Sequence, residues 1–374
     1  MKTGFVFHES YLWHDLGSAA AYIPAGGYVE PELHIDNPSA KRRFRNLIEV
    51  SGILRNLVSI TPRQATIDEL TMVHGKEYVE KVKKLSDSKG GDAGENAIVG
   101  IGSYEIAALA VGGCIEAVDA VADNRVENAY ALVRPAGHHA EPDFGRGYCI
   151  FNNIAIAVKY AQRIKGFKKI AIVDWDVHHG NGNQKAFYQD PTVLTISIHQ
   201  DRLFPQDMGL TTEVGAGKGE GFNINIPFPP GTSSGGYISA FDRIIKPALD
   251  LFKPELIIVA CGFDGNIIDP LSRQLLYSED YRLFTRILKE VARDHCQDRL
   301  VLCQEGGYST AYVPFCGLAV LEELSEYSTQ VNDPFLAARK GVFPYRELQT
   351  SQDQVLIEVE KIRNKYKDRI SGEV

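Results

Sequence analysis

The sequence predicts an α/β fold built on a predominantly parallel sheet covered by helices on both faces. Two observations carry this: short β-branched apolar runs recur along the chain, and stretches with helical periodicity lie between them. Strands buried on both faces read as continuous apolar runs, and parallel neighbours need helical crossovers to connect them. A third observation concerns domain count. The 374 residues, 44% hydrophobic, contain no Ser/Gly-rich or Pro-rich linker, so a single domain over residues 1–374 is expected.

In chain order, "TGFVFH" (3–8) opens the strand series. The aromatic, Gly- and Pro-rich stretch "WHDLGSAAAYIPAGGYVEPELHIDNP" follows, and residues 10–38 read as one long loop. A long helix is expected in "SYEIAALAVGGCIEAVDAVAD", then a strand in "NAYALVRP" and a helix in "NNIAIAVKYAQRI". The strands "KKIAIVDWDV", "TVLTISIH" and "FNINIPFP" come next, followed by a helix in "GGYISAFDRIIKPALDLF". "ELIIVACGFD" and "RLVLCQEGGY" complete the strands, with the helix "SEDYRLFTRILKEVARDH" between them. The segment at about 350–370, "SQDQVLIEVEKIRNKYKDRI", reads as an amphipathic helix packed on the domain.

Composition excludes several function classes. The start of the chain acquires His, Glu and Asp too early for a signal peptide, and no apolar run is long enough to span a bilayer, so a cytoplasmic protein without membrane association is expected. The six cysteines lack CxxC or other zinc-type spacing, and Cys149, Cys261 and Cys303 lie inside apolar segments, so disulfides are not expected. A net charge of −8 argues against non-specific nucleic-acid binding and is compatible with basic substrates.

Open parallel sheets place their ligand sites beyond the carboxyl ends of the strands. Polar residues accumulate there: "ALVRP" runs into "AGHHA", "IAIV" into "DWDVHHGNG", "LIIVACGF" into "DGN" and "LVLCQ" into "EGGYS". If the second of these stays extended, Asp174, Asp176 and His178 share one side, and Asp264 ends another strand. Two carboxylates and one neutral His would balance Zn²⁺, with a coordination position left open. Anionic ligands leave a metal a weaker Lewis acid than three histidines do, so a separate general base is needed. His138 and His139 are placed to supply it, and Tyr308 to donate a hydrogen bond to an oxyanion.

These motifs resemble the histone deacetylase family, most closely its bacterial histone-deacetylase-like amidohydrolases related to class II enzymes. The resemblance runs through "KRRFRNLIEVSG", "YALVRPAGHHAEPDFGRGYCIFNN", "VDWDVHHGNGNQ", "VLTISIHQDRLFPQDMG", "NINIPFPPG", "CGFDGNIIDPL" and "QEGGYSTAYVPFCGLAV". It implies an arginase-like three-layer fold with a sheet of about eight strands. It also implies zinc on Asp176, His178 and Asp264, with Tyr308 polarising an acetyl carbonyl. His139 then becomes the general base and later the acid for the leaving amine, and Asp174 orients His138.

By the same resemblance a structural K⁺ falls to Asp174, Asp176, His178 and Ser197, and a second, backbone-lined site to Phe187 and Phe222. The acyl tunnel maps onto Gly147, Tyr148, Phe204 and Leu271. Tyr148 stands where Phe is commoner in the family, and its hydroxyl is expected in water at the rim. The rim Asp of the family maps onto Asp92 in "GGDAGEN". Asn181 replaces the Asp that class I relatives place beside the second histidine. An amide orients His139 without adding charge, so His139 is expected to be neutral near pH 7.

The implied activity is hydrolysis of acetylated amines, with acetyl-lysine in a peptide or protein as the leading substrate. Leu271, where polyamine-selective relatives carry Glu, weighs against acetylpolyamines; other small acetylated amines, longer acyl chains and a non-catalytic acyl-lysine binder stay open. A two-manganese arginase-type hydrolase needs further acids two residues beyond each ligand, where this chain has Gly180 and Asn266. The stretch 10–38 is expected near the tunnel mouth and in a possible homo-oligomer contact.

Overall fold

The computed structural model describes residues 2–339 and 346–372. Eight strands form one sheet: β1 Thr3–Val6, β2 Leu57–Ile60, β3 Asn128–Ala131, β4 Ile170–Asp174, β5 Val193–Gln200, β6 Asn223–Phe228, β7 Leu256–Cys261 and β8 Leu300–Gln304. Their spatial order is β6-β5-β4-β7-β8-β3-β1-β2, and every adjacent pair is parallel. The strand that the sequence reading missed is β2. It is an edge strand in which Val58 and Ser59 are exposed, so it lacks the fully apolar run by which the others announce themselves.

Period-two alternation sorts the strand side chains between two apolar layers. Ala171 and Val173 of β4 face one layer, with Phe44 of α1 (Ser39–Val50), Phe284 of α5 (Ser278–His295) and Leu321 of α6 (Val313–Ser325). Ile170 and Ile172 face the other, with Val111 of α2 (Ser103–Ala122) and Ile154 of α3 (Asn153–Tyr160). The short α4 (Asn181–Phe187) follows the β4 loop. No helix among the described residues is long and apolar enough to cross a membrane.

Residues 10–38 are more ordered than a plain loop. They continue a 3-10 turn at Glu9–Trp13 and then form a small antiparallel sheet of Ser18–Ala20, Ile23–Pro24 and Glu32–Leu33. A buried charge cluster anchors this segment. Asp36 lies 3.0 Å from Lys41 and 3.5 Å from Arg134, and Arg134 also donates to the carbonyl of His14 at 2.6 Å. The C-terminal helix is two: α7 Thr350–Lys365 ends at Tyr366, and Lys367–Ser371 continues as a separate turn.

Candidate active site

The strands whose ends carry the polar motifs, β4, β7, β8 and β3, are consecutive neighbours at the centre of the sheet. Their following loops therefore converge on one place. Asp176, His178 and Asp264 meet there, with potential ligand atoms all within 4.8 Å of one another. They do so by a different route from the extended alternation expected from sequence. β4 ends at Asp174, and the chain then turns as Asp174 Oδ1 accepts from Asp176 N–H and Asp176 Oδ1 from His178 N–H. Each carboxylate caps the backbone two residues on, an Asx-type turn that swings Asp174 out of the ligand cluster.

His178 Nδ1 lies 3.1 Å from Asp176 Oδ1 and 3.0 Å from Asp264 Oδ2. Burial alone would lower the His178 pKa, but the two carboxylates outweigh it and push it up to about 10. Asp176 and Asp264 are fully buried. Two buried carboxylates facing one imidazole require a compensating cation, and an N,O,O donor set suits zinc.

The adjacent histidines occupy opposite environments. His138 Nδ1 is 3.0 Å from Asp174 Oδ2, and Asp174 and Asp176 raise its pKa against the effect of burial. Burial also lifts the Asp174 carboxyl to about 6. His139 Nδ1 instead meets the amide oxygen of Asn181 at 2.8 Å. Burial, then repulsion from His138 and His178, lowers its pKa well below 6.5, which favours the neutral imidazole.

A cavity of about 540 Å³ opens above these groups, lined at its base by His139, His178 and Tyr308. The Tyr308 phenol pKa is raised by burial and by Asp264, which keeps the hydroxyl protonated as a donor. Its backbone is set by Asp269, which accepts from Tyr308 N–H at 2.8 Å and Ser309 N–H at 3.1 Å. Gly147, Tyr148, Phe204 and Leu271 line the walls. A Cβ on Gly147 would sit 2.6 Å from His139 Cδ2 and 2.7 Å from Phe204 Cε1, so only glycine permits this approach.

Tyr148 lines the cavity edge-on to His34 at 4.9 Å and Tyr308 at 5.9 Å, and burial raises its phenol pKa. One expectation needs correction, that for Asp92. Asp92 does not line the cavity. Its carboxylate accepts from the N–H groups of Gly94, Asn96 and Ala97 and so organises its own loop, which presents Glu95 and Asn96 instead.

Asp174, the last residue of β4, is the register partner of Ser197 within β5, and Ser197 Oγ contacts His199 Nδ1 at 2.9 Å. The Phe187 and Phe222 carbonyls already accept from Asp190 and Thr195 N–H groups. Sequence reasoning missed Asp269, Glu305 and Glu141. Glu305 accepts from Gly137 and His138 N–H. Its signal was present in "EGGY", a carboxylate at a buried strand end. The expected mouth location of the 10–38 segment is met by Tyr22, which lines the cavity.

A family model described as histone deacetylase domain matches residues 34–324. The chain is 44% identical over 354 residues to the histone deacetylase-like amidohydrolase of Pseudomonas aeruginosa, covering 93% of each chain. It is 37% identical over 330 residues to a probable deacetylase of Archaeoglobus fulgidus, covering 87% of each. Among solved structures, the crystal structure of the HDA15 HD domain superposes with a TM-score of 0.85 at 29% identity, over 99% of this chain and 96% of that one.

Proposed function

The chain belongs to the histone deacetylase family, and from that premise we propose that it is a zinc-dependent deacetylase acting on acetylated lysine side chains. The observation that carries the reading is the convergence of Asp176, His178 and Asp264 with a neutral His139 and a protonated Tyr308 at the base of one cavity. Asp176, His178 and Asp264 would hold the zinc, which supplies Lewis-acid polarisation of the amide carbonyl.

The remaining steps belong to side chains of this protein. His139 carries its proton on Nδ1, facing Asn181 Oδ1, which leaves Nε2 free to accept a proton from the attacking water. Tyr308 donates a hydrogen bond to the oxyanion that develops at the carbonyl. His139 then returns the proton to the departing amine, and acetate remains. Asp174 holds the cationic His138 beside it. The walls at Gly147, Tyr148 and Phe204 suit an apolar lysine stem ending in a neutral amide, and Leu271 adds apolar surface at the entrance.

The same reading gives potassium to Asp174, Asp176, His178 and Ser197, and to the carbonyls of Phe187 and Phe222, as a structural ion. A two-manganese arginase-type pair is not favoured at the positions where its further acids would stand. Asn266 is spent on its own turn, donating to Phe263 O and accepting from Ile268 N–H, and Gly180 offers no side chain. Acetate release by the zinc-loaded protein tests the substrate class, with an acetyl-lysine peptide and N-acetylputrescine compared side by side. The peptide should be turned over preferentially. Preference for the acetylpolyamine would move the substrate, and no release from either would overturn the reading.

A further inference from the structure

The role of His139 depends on which end of the Asn181 amide faces it, and an amide by itself has no preference. If the NH₂ group faced His139, Nδ1 would have to be the unprotonated nitrogen and Nε2 would carry the hydrogen, leaving no base in the cavity. Something must fix the amide. Asn181 Nδ2 lies 2.9 Å from Glu141 Oε1 and 3.2 Å from the backbone oxygen of His139, both of which only accept. That side of the amide must be the donor side.

We infer that Glu141 is a positioning residue for deacetylation: it locks the Asn181 amide and, through it, the tautomer of His139 that leaves Nε2 as the base. Glu141 is suited to this. Its side chain is 10% exposed, and Lys185, on α4 one turn beyond Asn181, reaches its other oxygen at 2.5 Å. Arg146 approaches Oε1 at 3.4 Å. The Glu141 backbone is pinned as well, its N–H donating to Phe144 O and its carbonyl meeting His74 Nδ1 at 3.0 Å. The position of the carboxylate is thus fixed from both sides. Set behind the amide, Glu141 orients the imidazole through Asn181 without touching it.

Arg146 extends the arrangement outward. Its Nε donates to Glu95 at 2.7 Å, and Glu95 lines the mouth of the cavity. The chain His139–Asn181–Glu141–Arg146–Glu95 therefore joins the base to the rim.

The inference rests on the deacetylase reading, and its test separates the two. Asn181→Asp places a second carboxylate against Glu141, and adding Glu141→Gln removes that repulsion and supplies an N–H for the new Asp. With the acetyl-lysine peptide, Glu141→Gln alone should lower kcat about 10-fold at a KM within about twofold, a part of the 10²–10⁴ a general base contributes. Asn181→Asp alone should lose about 30-fold or more, and the double variant should recover to within about threefold of Glu141→Gln. Losses that simply multiply would overturn the inference.

Two readings on the metal-free proteins need no turnover. Thermal unfolding should show Asn181→Asp lowered by about 5 °C and the double variant restored. Long-range ¹⁵N–¹H spectra should show His139 as the Nδ1–H tautomer in the wild type and as a mixture in Glu141→Gln. An unchanged tautomer in that variant would refute the lock, even if the wild-type enzyme released no acetate and the deacetylase reading had failed.

Discussion

At the base of the cavity, Asp176 and Asp264 are fully buried, and their oxygens are occupied by His178 and by the N–H groups of Val177, His178 and Gly306. At the mouth, Tyr22, Gln206, Pro270 and Arg273 are exposed and stand on loops, and the exposed Glu95 stands on a two-residue strand. At the base the carboxylates of Asp176 and Asp264 are matched by assigned neighbours, so a change of one of these leaves a buried charge unmatched. Mouth residues face water and can be replaced at little cost to the fold. Chemistry should therefore fail steeply with changes at the base, whereas selectivity should shift gradually with changes at the mouth.

The sharpest way to break that contrast is Tyr308→Phe. It removes one donor aimed at the oxyanion and leaves the ring contacts to Tyr148 and His178 in place. Steady-state kinetics should show kcat lower by about 10²–10³-fold with KM little changed. A loss under threefold would place Tyr308 among the wall residues. At the mouth, Leu271→Glu should raise kcat/KM for N-acetylputrescine by about 10-fold through attraction of its free ammonium, while peptide kcat stays within about threefold. A collapse of peptide kcat in this variant would erase the distinction between base and mouth.

The smallest effect at neutral pH is expected behind the loop that carries His139. His74 is buried between the Glu141 carbonyl, 3.0 Å from Nδ1, and the Asn152 N–H, which donates to Nε2 at 2.9 Å. Burial lowers its pKa to about 4, while in the unfolded chain it takes up a proton near 6.5. The stability this site contributes is full above pH 6.5 and is lost as pH falls toward 4. The advantage of the wild type over His74→Gln should shrink by about 1.4 kcal/mol per pH unit across that window, measured by denaturant unfolding. A pH-independent difference would mean that His74 has the same pKa in the folded and unfolded chain.

The same contrast explains what the sequence made legible. Strand-end motifs marked the base because charge after an apolar run is improbable without a use, and the central adjacency of β4, β7, β8 and β3 is what that pattern implied. The route was not legible. Period-two reasoning put Asp174 with the ligands, but Asx turns end the strand there, and such turns compete with strand geometry wherever Asp recurs at short spacing. Loops carry no periodicity, so the mouth was misread at Asp92, and Tyr22, Leu203 and Arg273 were not foreseen as its lining. Glu141 escaped notice because its importance lies in a contact 40 residues along the chain, with Asn181.

Acetate release from an acetyl-lysine peptide, titrated with zinc into metal-free protein, tests the central claim most directly. Turnover should rise linearly and level off at one equivalent per chain, and Asp264→Asn should neither retain that equivalent nor turn over. Full turnover without added metal, or a requirement for two equivalents, would contradict the assignment of Asp176, His178 and Asp264 as a single zinc site.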